Sequence, residues 1–225
     1  MVGLLFALVS VAVWNLTPDQ MDQLVFDRVA ILNGEWWRLW SCHLVHYSRN
    51  HLFADVGTLF FLSLVVGRFT RLLHLLIAFL ISMPAITALI ILLVPEMEHF
   101  RGASAMVVML WMVVCWYLIL EVKGFSLGFV LGYLLLVLLI GKIVVEYLGL
   151  MPPSGNLPRG LSPPWQVHGF GAFIGLLAFH GFYQIHTQKN LRRIKAARRA
   201  KKKALPVKLK DHKLPDAPRQ PVRRQ

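Results

Sequence analysis

Apolar runs separated by short polar breaks make up most of this chain. Met1 to Leu16 carries no charge and reads as a first helix. It is short for a membrane span and lacks the basic start of a signal peptide. Four further runs follow: about Asn50–Gly67, Leu72–Val94, Ala103–Leu120 and Phe125–Leu148. A sixth covers about Pro164–Ile185. A bilayer core takes about 20 mostly apolar residues per helix, and several of these runs approach or exceed that length. The pattern predicts an all-α membrane protein with six transmembrane helices.

The breaks have the chemistry of interfaces. Thr17–Trp40 is expected to be a polar loop, and its Trp36, Trp37 and Trp40 suit the membrane–water boundary. Arg68 and Arg71 close the second helix, while Glu121 and Lys123 close the fourth. Pro84 lies inside the third helix and Pro95 follows it. A Pro/Gly-rich loop, Gly149–Pro164, leads to the sixth.

Composition agrees with this reading: 56% of the residues are hydrophobic and the mean hydropathy is +0.58. Few soluble domains are so apolar. Charge divides the chain in two. From Lys189 onward there are 15 Lys and Arg against 2 acids, and the preceding 188 residues balance 9 against 9. Residues 1–187 are therefore expected to form one membrane domain, and 188–225 a basic, disordered tail after a brief continuation of the last helix. The positive-inside rule puts that tail, and with six spans the N-terminus, in the cytoplasm. The simplest role for the tail is attraction to anionic lipid. Cys42 and Cys115 imply no disulfide framework and no CxxC metal spacing.

Ionisable groups are costly inside a membrane, so each one here needs a reason. The set is His43, His46, His51, Asp55, His74, Lys142, Glu146, His168 and His180. His51 and Asp55 are four apart and share a helix face, with His46 just before them. Ser104 opens the fourth helix after Gly102 and Ala103, where unpaired backbone N–H groups gather. His168 lies near the start of the sixth helix. Gly171 and Gly175 follow at the spacing that admits a neighbouring helix. Alternating topology puts His46, His51, Asp55, Ser104 and His168 at one depth, on the outer side. A serine, a histidine base and oxyanion donors are the ingredients of acyl transfer. Taken singly, each has a plainer reading as a helix start, a packing residue, an interfacial cluster or a metal site. Lys142 and Glu146, four apart near the end of the fifth helix, read best as a local ion pair.

In order along the chain, four motifs resemble those of the rhomboid family of intramembrane serine proteases. Gly34-Glu35-Trp36-Trp37-Arg38-Leu39 resembles its first-loop Trp-Arg motif. His46, His51 and Asp55 resemble its second-helix His…His…Asn pattern. Gly102-Ala103-Ser104-Ala105 resembles Gly-x-Ser-Gly. His168, Gly171 and Gly175 resemble the sixth-helix His-x-x-Gly-x-x-x-Gly. The resemblance covers roughly residues 1–185, and its compact form is most similar to the rhombosortase branch, which is associated with C-terminal sorting tails.

The resemblance implies a six-transmembrane-helix rhomboid-like bundle in a bacterial inner membrane. Ser104 would be the nucleophile and His168 the base, as a dyad with no acid to orient the histidine. His51 and Asp55 would serve the oxyanion, and His46 would be accessory. Gly102, Gly171 and Gly175 would be structural. The substrate would be a transmembrane segment of another protein. Lipid is the other expected partner, and no nucleic acid, cofactor or metal is expected. Two departures stand out: Asp55 replaces the usual Asn, and Ala105 replaces a Gly. They leave an inactive client-binding relative as one alternative, with a small transporter as another.

Overall fold

The computed structural model describes residues 2–120, 126–150 and 165–204, with side chains left out at 186–193 and 198–204. Glu121, Lys123, most of the Gly149–Pro164 loop and the chain beyond Ala204 lie outside the described residues.

The described chain is almost entirely helical. The first apolar run forms α1 (Val2–Trp14). The expected polar loop instead folds into α2 (Pro18–Asp22), β1 (Phe26–Asp27), α3 (Arg28–Leu32) and α4 (Arg38–Ser41). The other apolar runs form α5 (Arg49–Val66), α6 (Leu72–Leu93), α7 (Ser104–Leu120), α8 (Leu127–Tyr147) and α9 (Trp165–Ala204), with β2 (His99–Phe100) before α7. Of these, α6 and α8 are long and apolar enough to cross a membrane, and α1 and α7 are shorter apolar helices. The chain divides into two compact units, Met1–Tyr183 and Gln184–Gln225. In the second unit helix persists to Ala204, well past the expected tail boundary at residue 188.

Local chemistry starts these helices. Thr17 and Gln20 form a capping box on α2, with Pro18 in the first turn, where its missing N–H costs nothing. The Asp27 side chain accepts from Ala30 N and caps α3. Ser48 accepts from His51 N to start α5, and Ser126 accepts from Phe129 N to start α8.

The segment between α1 and α5 is anchored by side chains reaching backbone carbonyls. Arg38 is buried; it donates to Glu35 at 2.7 Å and to the carbonyls of Asp22 and Val25. Arg28 donates to the carbonyls of Ile90, Ile91 and Val94, closing the C-terminal end of α6. Pro84 has no N–H to offer the Leu80 carbonyl one turn back. The Trp40 indole N–H takes that place at 2.9 Å, so a loop tryptophan completes the helix that the proline interrupts. Finally, β1 pairs antiparallel with β2, with Phe26 opposite Phe100, which ties this segment to the approach to Ser104.

Helix directions follow from close backbone approaches. A Cβ on Gly3 would strike Phe60 and Ser63, so α1 begins where α5 ends. A Cβ on Gly132 would strike Cys115, Leu118 and Ile119, so α8 begins where α7 ends. Gly171 faces the Ala105 carbonyl and Gly175 the Met109 carbonyl, so α9 runs parallel to α7. Helix α7 is the most enclosed, with Ala105, Met106, Met109, Leu110, Val113 and Cys115 almost fully buried. By contrast, α6 and α8 expose long rows of Leu, Ile and Val.

Candidate functional site

The polar groups converge at one end of the Met1–Tyr183 unit, where α5, α7 and α9 begin and α8 ends. Gly102 is the pivot. Its φ of +131° is open only to glycine, and its N–H donates to the Cys42 carbonyl at 3.0 Å. A Cβ at this position would lie 2.7 Å from His51 Cε1 and 3.3 Å from Asp55 Oδ2. The start of α5 therefore rests on the residue two before Ser104.

His51 Nδ1 accepts the Tyr47 N–H at 3.4 Å, which leaves the ring proton on Nε2, the nitrogen facing Gly102 and Asp55. Asp55 Oδ2 lies 3.1 Å from His51 Nε2 and 3.5 Å from His46 Nε2. These are ion-pair distances. Neither Asp55 Oδ2 nor His46 Nε2 has an aligned hydrogen bond, although both are buried. His46 Nδ1 donates to the Leu44 carbonyl at 3.2 Å, so a neutral His46 would turn a lone pair toward the carboxylate. Asp55 thus serves as a partner of two histidines, which is a different role from that of a neutral amide donor.

Ser104 begins α7, is partly exposed, and its Oγ makes no hydrogen bond among the described residues. The first N–H groups of α7 have no acceptor inside the helix and are available to an anion forming beside Ser104.

His168 occupies the first turn of α9, one turn before Gly171, and Gly171 touches Ala105 of α7. Its ring is buried, and Nε2 has no hydrogen-bond partner. The other nitrogen is fully engaged. His168 Nδ1 lies 2.6 Å from Glu146 Oε2 and 3.0 Å from Lys142 Nζ. A carboxylate this close is met by a proton on Nδ1, which donates to Glu146; in the neutral ring Nε2 then carries the lone pair. Lys142 then bonds the other Glu146 oxygen and only flanks the ring. The expectation that no acid stands by His168 is therefore corrected. Lys142 and Glu146 do form an ion pair, but it is turned inward onto the histidine. The i,i+4 pair was visible in an apolar helix; its partner on the next helix was not.

Three further histidines of the expected membrane set stand apart. His43 is fully buried, with Nε2 3.1 Å from the Met83 carbonyl and 3.0 Å from Thr87 Oγ1, and its ring edge meets Phe100. Burial pushes it down to about 4, so it is a neutral structural residue. The neighbouring Cys42 thiol is pushed up to about 12 by the same desolvation. His74 and His180 lie away from the convergence, on α6 and α9. Among the described residues no group of three His, Cys, Asp or Glu side chains is placed to hold a metal ion. Set against protein-family models and curated proteins, the chain matches none of either.

Proposed function

We propose that this chain is a multi-pass intramembrane serine protease of rhomboid type, most similar to the rhombosortases. Its apolar helices would lie in a bacterial inner membrane, with the basic tail in the cytoplasm. The observation that carries the reading is the state of His168. Its Nε2 is buried, unpartnered and free to accept a proton, on a helix locked by Gly171 and Gly175 against the helix that Ser104 begins. The structural His43 also has an unpartnered nitrogen, so what marks His168 is its place beside the helix that Ser104 begins, with its other nitrogen held by Glu146.

In this reading Ser104 Oγ attacks the carbonyl carbon of a substrate transmembrane segment near its outer end. As the O–C bond forms, the carbonyl electron pair moves to oxygen and the Oγ proton passes to His168 Nε2. The oxyanion meets the first N–H groups of α7 and the Nε2–H of His51. Collapse expels the amine, which takes the proton from Nε2, and water then repeats the sequence on the acyl-enzyme. Asp55 orients and balances His51 and His46 in this scheme. The rows of exposed apolar side chains on α6 and α8 support a lipid environment, since a soluble monomer seldom exposes so much contiguous apolar surface.

An inert, client-binding relative is the second reading, and one observation favours it. Asp55 Oδ2 stands on the side of Gly102 where an oxyanion donor is needed, and an ionised carboxylate there would oppose the developing charge. A fluorophosphonate probe on the purified full chain in detergent micelles separates the two. The protease labels and Ser104→Ala does not; an unlabelled wild type, or a labelled Ser104→Ala, removes the protease reading.

A further inference from the structure

We propose that Glu146 is a positioning acid for His168, held in place by Lys142, so that the site is a Ser–His–Glu triad. The inference rests on the protease reading above. Its structural core does not, because the Glu146–His168 bond can be tested in the absence of any activity.

The Glu146 side chain has no exposed surface, whereas that of Lys142 is 29% exposed. Burying a carboxylate costs several kcal/mol unless each oxygen is satisfied. A simple i,i+4 surface pair has no need of that cost, because either side chain can turn toward solvent. Here both oxygens are committed, Oε1 to Lys142 and Oε2 to His168 Nδ1. The two bonds do different work. The bond to Nδ1 selects the tautomer with its lone pair on Nε2 and holds the ring plane. The bond to Lys142 keeps the carboxylate ionised, so that it accepts a hydrogen bond and does not take the proton. When Ser104 Oγ gives its proton to Nε2, the positive charge on the ring forms 2.6 Å from the Glu146 anion, which acts against the Lys142 ammonium at 3.0 Å. Neutral His168 gains little from that anion, so the effect falls on the transition state.

The experiment pairs probe kinetics with spectroscopy on the full chain in micelles. A fluorophosphonate gives the maximal labelling rate and the probe concentration at half-maximum. Proton–nitrogen NMR of ¹⁵N-histidine protein, assigned with His168→Gln, reports the Nδ1–H. Glu146→Gln is expected to lower the maximal rate about a hundredfold or more, with the half-maximal concentration unchanged. It also removes the low-field Nδ1–H resonance. Lys142→Met, which removes one of the two partners of the carboxylate and leaves the group beside Nδ1, slows labelling less than Glu146→Gln.

Wild-type labelling rates in Glu146→Gln overturn the proposal. So does the absence of a His168 Nδ1–H resonance in the wild type, a measurement that stands even where Glu146→Gln fails to accumulate. A wild type that never labels but shows the resonance sinks the protease reading alone.

Discussion

Glu146 Oε2 lies 2.6 Å from His168 Nδ1 and joins the end of α8 to the beginning of α9. One contact therefore positions a candidate base and ties two helices together at the site. Asp55, by contrast, is met by two rings from its own stretch of chain, His46 and His51.

Ser104 and His168 should behave as a unit. Ser104→Ala and His168→Ala are each expected to lower cleavage of a membrane-anchored reporter by about a thousandfold or more, and the double variant by no further amount. Accumulation and thermal unfolding of Ser104→Ala should remain those of the wild type, whereas His168→Ala leaves Glu146 Oε2 without its partner and should unfold at a lower temperature. Additive losses would separate the two residues.

The α7–α9 junction tolerates no side chain at its two glycines. Gly171→Val places atoms inside the Ala105 carbonyl, and Gly175→Val does the same at Met109. Each is expected to lower stability by about 1–3 kcal/mol through overpacking. Midpoints of thermal unfolding in detergent check this, with Gly169→Ala as the control, since a Cβ there meets nothing within 4 Å.

Trp40 and Pro84 should be coupled. Trp40→Phe leaves the Leu80 carbonyl without its loop donor and is expected to destabilise by about 0.5–1.5 kcal/mol. Restoring an N–H with Pro84→Ala supplies a second donor to that carbonyl and should shrink the Trp40→Phe effect. A double-mutant cycle on unfolding free energies measures the coupling, and strict additivity would refute it.

His43 gives a pH dependence with a defined sign. It is neutral and buried in the folded protein, with a folded value of about 4 against about 6.5 unfolded. Between those values the unfolded chain binds more protons, so stability is full above about 6.5 and falls as pH is lowered toward 4. The shift corresponds to about 3 kcal/mol. His43→Gln keeps a donor for the Met83 carbonyl and should remove that part of the acid slope in unfolding measured from pH 7 to 4.

The segment between α1 and α5 should depend on Arg38. Arg38 is buried among the carbonyls of Asp22 and Val25 and the carboxylate of Glu35. Arg38→Ala orphans all three and is expected to cost about 2–4 kcal/mol, while Glu35→Gln, which keeps an acceptor, costs less. Detergent unfolding midpoints distinguish the two.

The apolar runs alone marked where the long helices lie, because helix length and uniform hydrophobicity are local properties. The expected Asn50–Gly67 and Ala103–Leu120 became Arg49–Val66 and Ser104–Leu120. The start of α7 at Ser104, and the i,i+4 placements of His51 with Asp55 and Lys142 with Glu146, were legible for the same reason. The small elements between α1 and α5 were hidden, since their polar sequence resembles a loop and their order comes from Arg28, Arg38 and Trp40 bonding to distant carbonyls. Only the tertiary structure turned Glu146 toward His168, which is 22 residues away, and set Asp55 between two histidines. Periodicity along one helix says which side chains share a face. Which neighbouring helix that face meets depends on close packing at Gly102, Gly132, Gly171 and Gly175, and that is decided by the fold as a whole.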